Sequence, residues 1–336
     1  MESKRHMLDG IARMENGDWL TALFHFERAI ELREAKPWRG DVESAWVLAA
    51  AWINRSDVLR FLGRAQEGIQ SLDRAIDAME HVPLAQNPGY ADRLILAWIN
   101  RGTACGETGR MAEALAGFSK ADELLETWGG SLTPGRKLMA SMLPANRARV
   151  LLDLDHTIAG WKSAQLAVDF LRNLEPSPIV AEASIKSRGI LCRALAMLLD
   201  EPGGIHLAND WIAVATDSIE EALAFVRSSD YRGPWVADLV RYGAKIYRNC
   251  QPHFLGEFIL EWATGDGFLA GDINLQREMA NELLLATADL ERRVRSQAHQ
   301  TARVEAEIKI LVSLQIAQRE LGIRPLSQGR MPSAIF

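Results

Sequence analysis

Three asparagines, Asn54, Asn100 and Asn146, stand 46 residues apart, and each is followed by an arginine: Arg55, Arg101 and Arg147. A side-chain amide donates and accepts at once, so a row of amides can satisfy the backbone of an extended peptide whatever its side chains. A guanidinium can bury its stem and hold a carboxylate with its head. Three in register make either a positive stripe for acidic side chains or a C-terminal carboxylate, or a set of pairs with acidic residues of the next repeat. Asp57, Thr103 and Arg149 lie three residues beyond each Asn, one helical turn away on the same side, and Phe61 and Glu107 lie one further turn along, where they can rim a groove. Their unlike chemistry is that of a surface selecting among ligands. For the amides two readings stand: contact with a ligand backbone, or bonds to a neighbouring helix that stabilise stacking.

Enzyme chemistry has no comparable signal. GxxxxGK[ST], HExxH, GxSxG and the strand-turn-helix glycine fingerprint are all missing from the sequence. The seven histidines are scattered: His25 beside Phe24 and Phe26, His81 and His156 near turns, His299 in a basic run. Solvated or core-edge roles suit them. The three cysteines contain no CxxC and no His-rich neighbourhood, which argues against a disulfide framework or zinc site and fits a reducing compartment. Cys105 sits seven residues after Trp98 as a core thiol; near Cys250, Arg248 favours thiolate and burial opposes it. The expectation is no catalytic residue, no metal and no cofactor.

The chain has 336 residues, 48% of them hydrophobic and 24% charged, with 12 Pro and 25 Gly, a folded rather than a loop-rich composition. A formal net charge of -6 opposes nonspecific attraction to phosphate backbones or anionic lipid, so neither nucleic acid nor membrane is an expected partner. The longest apolar run, residues 45–53, falls far short of the roughly 20 residues of a membrane span, and the expected location is the cytoplasm.

The elements that position the amides follow from the same 46-residue step. Three columns of small residues run through four gapless copies: Gly10, Ser56, Gly102, Ala148; Ala22, Gly68, Ala114, Gly160; and Ala29, Ala75, Ala121, Ala167. Phe26, Leu72, Phe118 and Ala164 sit between the last two columns at helical spacing, so each copy is two helices around a turn at Gly17-Asp18, Gly63-Arg64, Gly109-Arg110 or Asp155-His156.

An aromatic, a small residue four later, a turn Gly, then Ala, Phe and Ala resemble the tetratricopeptide repeat family over residues 4–172. The period departs from the family's usual 34, the extra length lying in longer helices and in loops 81–89 and 128–135, and longer repeats of this kind resemble those of kinesin light chains. The resemblance implies an all-α, right-handed superhelical solenoid whose first helices line a concave face, with Asn54, Asn100 and Asn146 there; comparable Asn ladders in the family hold peptides. The Arg column departs from the family, which usually has an apolar residue there.

Four repeats are expected over 1–175 and about two degenerate ones over 176–271, their helices separated by a Gly-rich insertion at 201–209. Residues 272–321 contain no Gly or Pro and form one helix of about 75 Å or a helix pair, either capping the last repeat or serving as a coiled-coil dimer arm. Residues 322–336 are a tail, frayed or docked in a groove of its own or a neighbouring molecule's. These observations predict a noncatalytic adaptor that binds an extended segment or helix of another protein in the concave groove. Two alternatives remain: a protein decorating an acidic filament such as a bacterial tubulin through its convex face or through Arg292, Arg293 and Arg295, and a peptide-responsive regulatory sensor. Self-association through the C-terminal helix or tail is a further expectation.

Overall fold

The computed structural model describes residues 2–35, 38–80, 82–84, 90–128, 134–200, 208–229, 235–263, 272–296 and 301–322. Most of loops 81–89 and 128–135 and of the insertion 201–209, together with His299 and the tail beyond Gly322, lie outside them. Among the described residues the chain is all-α: α1 (Glu2–Glu15), α2 (Trp19–Glu34), α3 (Val42–Phe61), α4 (Ala65–Glu80), α5 (Ala91–Glu107), α6 (Met111–Trp128), α7 (Pro134–Asp153), α8 (Thr157–Arg172), α9 (Pro178–Asp200), α10 (Ala208–Ser228), α11 (Trp235–Cys250), α12 (Pro252–Ala263), α13 (Ile273–Ser296) and α14 (Thr301–Glu320). No described helix is long and apolar enough to cross a membrane. The chain divides into two compact units, Met1–Leu174 and Glu175–Phe336. The long run after residue 272 is a helix pair, α13 and α14, packed on each other.

The first unit is four hairpins, α1–α2 to α7–α8. The turns use one geometry. Gly17, Gly63 and Gly109 have φ of 72°, 72° and 77°, and Asp155 has 57°. The following amide reaches back five residues in each: Asp18 N to Arg13 O at 2.9 Å, Arg64 N to Leu59 O at 2.8 Å, Arg110 N to Cys105 O at 2.8 Å, His156 N to Leu151 O at 2.9 Å. This is the left-handed glycine cap that satisfies the last carbonyls of a helix and reverses the chain into the next.

The small first column exists because a second-helix side chain fills the space. A Cβ on Gly10 would lie 2.7 Å from the Phe26 ring, and one on Gly102 would lie 2.6 Å from Phe118. Where the second helix carries Leu72 the partner is Ser56, and where it carries Ala164 the partner is Ala148, all of them buried. The Gly–Phe and Ser–Leu pairs fill similar volumes, whereas the Ala148–Ala164 pair is smaller and Leu152 packs close by, 2.6 Å from where a Cβ on Gly160 would lie. Each first helix then packs on the second helix before it, and α1, α3, α5 and α7 touch in series, while successive second helices do not pack on one another to a comparable extent among the described residues. That places the first helices on the inner side of the stack.

In the second unit α9, α11 and α13 are likewise in series, with α10, α12 and α14 as their partners. Gly243 of α11 takes the small place, its missing Cβ being 2.8 Å from Ile219 and 3.1 Å from Phe258. Ala215, Ile219 and Ala222 of α10 and Leu255, Ile259 and Trp262 of α12 are buried.

Two stability tests follow. Asp155 holds a left-handed conformation that Gly adopts at lower cost, so Asp155→Gly should stabilise the chain by about 0.5–1 kcal/mol in urea unfolding. Gly10→Ser should destabilise it by about 1–3 kcal/mol, and adding Phe26→Leu, which recreates the Ser56–Leu72 pair, should recover most of that loss in a double-mutant cycle.

Candidate functional site

The three arginines are tied into the stack. Arg55 of α3 donates from Nε and Nη2 to Glu27 of α2 at 3.1 and 3.0 Å and from Nη1 to Ser71 of α4 at 2.6 Å. Arg101 of α5 donates from Nε to Asp73 of α4 at 2.6 Å and reaches Glu113 of α6 at 3.5 Å. Arg147 of α7 pairs with Asp122 of α6. Glu27, Asp73 and Asp122 all lie on the second helix of the preceding repeat, not the next, which packs on the first helix that carries the Arg, while Glu113 belongs to the same repeat as Arg101. Burial opposes the Arg101 charge, but the Asp73 carboxylate more than offsets it and holds the guanidinium pKa above its usual range. Arg55 and Arg101 also lie 5.6 and 5.8 Å over Trp52 and Trp98, the aromatics three residues earlier. A free positive stripe is therefore not what these residues form.

The amide row is placed differently. Asn54, half-buried on α3, makes no side-chain hydrogen bond to another described residue. Asn100 of α5 donates from Nδ2 to Asp57 Oδ1 on α3 at 3.4 Å. Asn146 of α7 is buried, 3% exposed. Beside the row, Glu107 of α5 lies 3.5 Å from both Arg60 of α3 and Arg149 of α7, so one carboxylate links three first helices. Arg149 Nη2 is buried without a hydrogen-bond partner. Thr103 is buried and turns its hydroxyl to Ile99 O at 2.9 Å, which removes it from ligand contact. Phe61 is 60% exposed and stacks on Trp19 of α2 at 4.3 Å. Asp57, Asn100, Glu107 and Arg149 are thus brought together, and Thr103 and Phe61 are not part of that cluster. Arg60 belongs to it and was not singled out by the sequence, because its equivalent one repeat later is Gly106 and no column marks it.

Asp57 carries a cost. Burial pushes its pKa up to about 6, with Arg60 lowering it and Glu107 raising it further. It has no ion-pair partner at contact distance among the described residues. Its pKa is raised on folding, so the penalty is absent below the ordinary carboxylate pKa, where both states are protonated, and fully present above about 6. Asp57→Asn should stabilise the chain by about 1–3 kcal/mol at pH 7.5 and leave it unchanged near pH 4; an equal effect at both pH values would contradict this.

Other reactive groups are quiet. Burial raises the Cys105 thiol above its usual range and pushes Cys192 up to about 12 and Cys250 up to about 11, so Arg248 does not activate Cys250. His6 and His25 share a hydrogen bond between Nδ1 atoms 2.9 Å apart. Among the described residues no group of three or more His, Cys, Asp or Glu can hold a metal. A cleft of about 640 Å³ opens between α2 and α4 beside Arg55, but its Glu27 and Asp73 are already engaged by Arg55 and Arg101. In the basic run, Arg292 pairs with Asp289 at 3.0 Å; the side chains of Arg293 and Arg295 lie outside the described residues.

No protein-family model matches the sequence, and no curated protein matches it. Solved structures do match in fold. The apo form of RapI is similar over 96% of this chain and 99% of its own, at 14% identity and a TM-score of 0.55. A Rap protein complexed with Competence and Sporulation Factor is similar over 96% of this chain and 76% of its own, at 12% identity and a TM-score of 0.50. A tetratricopeptide repeat protein from Parabacteroides merdae aligns over 93% of this chain and 99% of its own, at 13% identity and a TM-score of 0.37. The chain has the tetratricopeptide-like helical-repeat fold.

Proposed function

We propose that this protein is a noncatalytic recognition module that holds a segment of another protein against the inner faces of α3, α5 and α7. The observation that carries the reading is the division of labour between adjacent columns. The arginines are consumed in inter-repeat pairs, whereas among the described residues Asn54 has no side-chain partner and Asn100 has one weak bond at 3.4 Å. An amide with spare donors and acceptors on an inner face suits backbone recognition. Asp57 supports the same reading: a carboxylate kept at a cost to stability is more often a functional group than a structural one. Asn146 and Arg149 would close the site on the α7 side.

Among ligands, an extended segment or a helix fits better than a filament surface. The filament reading needs free basic side chains, and Arg292, the one described, is paired. One structure of this fold is a Rap protein complexed with Competence and Sporulation Factor, so the architecture admits an occupant; the contacting residues are argued from this chain alone.

Asn54→Ala and Asn100→Ala combined should shift melting by no more than about 2 °C while reducing partner capture from the native lysate at least tenfold. A variant that unfolds, or that captures as well as the parent, would contradict the proposal.

A further inference from the structure

We infer that the outer face of α14 is a docking site for the chain's own residues 323–336. The face is defined by Ile308, Val312 and Ile316, which are 42%, 48% and 48% exposed and lie four residues apart on one stripe. The opposite face is spent: Leu314 and Ala317 are buried against α12 and α13, and Gln318 donates to Thr287 of α13 at 2.8 Å.

The repeats supply an internal control. Superposing the buried Leu314 and Ala317 on Phe118 and Ala121 of α6 puts Ile308, Val312 and Ile316 on Ala112, Ala116 and Lys120. One repeat earlier the same places are Gln66, Gln70 and Arg74; in α10 they are Ala213, Asp217 and Glu221. These are small or polar residues facing water. The apolar versions at such places occur at the ends of the units, Leu20 and Phe24 on α2 and Ile158 and Leu166 on α8, and among the described residues of the second helices only α14 has three in succession. Packing within the repeat does not require them, and exposed apolar rows of this kind mark contact surfaces.

The occupant follows from where the chain goes next. Leu321 N bonds Ala317 O and Gly322 N bonds Arg319 O, both at 3.0 Å, and Gly322 has φ of 68°, so the backbone leaves the helix through a left-handed turn. The 14 residues 323–336 carry Ile323, Leu326, Met331, Ile335 and Phe336. Extended, they reach about 46 Å, against about 30 Å for the 20 residues of α14, enough to run back along the whole stripe. Tethering at the end of the same helix gives the segment a high effective concentration that a free partner lacks.

The test uses the full chain and two variants. Trypsin should cut after Arg330 at least tenfold faster in Ile308→Glu/Val312→Glu/Ile316→Glu than in the parent, with helicity unchanged because all three side chains are exposed. A chain ending at Gly322, which loses no described contact, should bind an environment-sensitive apolar dye more strongly than the parent, and a synthetic 323–336 peptide should reverse that signal. Equal cleavage rates together with an equal dye signal would overturn the inference. So would a full chain that is dimeric by light scattering and becomes monomeric only on the glutamate substitutions, since a second copy would then cover the stripe.

Discussion

Everything in the first unit depends on how closely a first helix can approach its second helix. Phe26 and Phe118 are fully buried, and they fit only because Gly10 and Gly102 offer no Cβ. Where the large residue shrinks to Leu72 or Ala164, the small residue grows to Ser56 or Ala148. In each hairpin a small first-helix residue lets the second helix pack closely in the same register, and that shared register is what lets the same turns and spacings recur. Once it is fixed, residues two positions before the small residue fall in a row on successive first helices. The amide row is a geometric consequence of core packing, although its chemistry is not.

The charged residues then sort by the helix they face. Each Arg of the column is flanked by the preceding repeat's second helix, where Glu27, Asp73 and Asp122 wait, so its energy goes into stacking. One residue earlier, the Asn100 side chain meets Asp57 on the neighbouring first helix, Asn54 makes no side-chain hydrogen bond to another described residue, and Asn146 is buried. A one-residue step on a helix is about 100°, enough to move a side chain from an interface to the inner surface. Glu107, shared between Arg60 and Arg149, stiffens that surface without filling it.

How much was legible beforehand follows from this distinction. The hairpins of the first unit and their turns could be read because helix period, turn chemistry and small-residue columns are local signals, and Asp155 was visible as the stand-in for a turn Gly; whether residues 272–321 make one helix or two could not be read, because no Gly or Pro marks a boundary there. The direction of the Arg pairs could not be read, since it depends on which neighbouring helix is nearer and Asp122 is three residues out of register with Glu27 and Asp73. The stacking of Phe61 on Trp19 was hidden for a similar reason, since helical spacing from Asn54 says nothing of the adjoining helix. Arg60 was invisible because a tie between three helices leaves no periodic trace.

The central claim is that neighbouring columns do different work, the arginines holding the repeats together and Asn54 and Asn100 left available. Urea unfolding of Arg101→Met beside Asn100→Ala tests it most directly. The account predicts a loss of about 1–2 kcal/mol for Arg101→Met, which leaves Asp73 without its partner while Glu113 keeps Arg110, and less than about 0.5 kcal/mol for Asn100→Ala. An Asn100→Ala variant as destabilised as Arg101→Met would show that the amides are part of the stack and would remove the basis for a binding row.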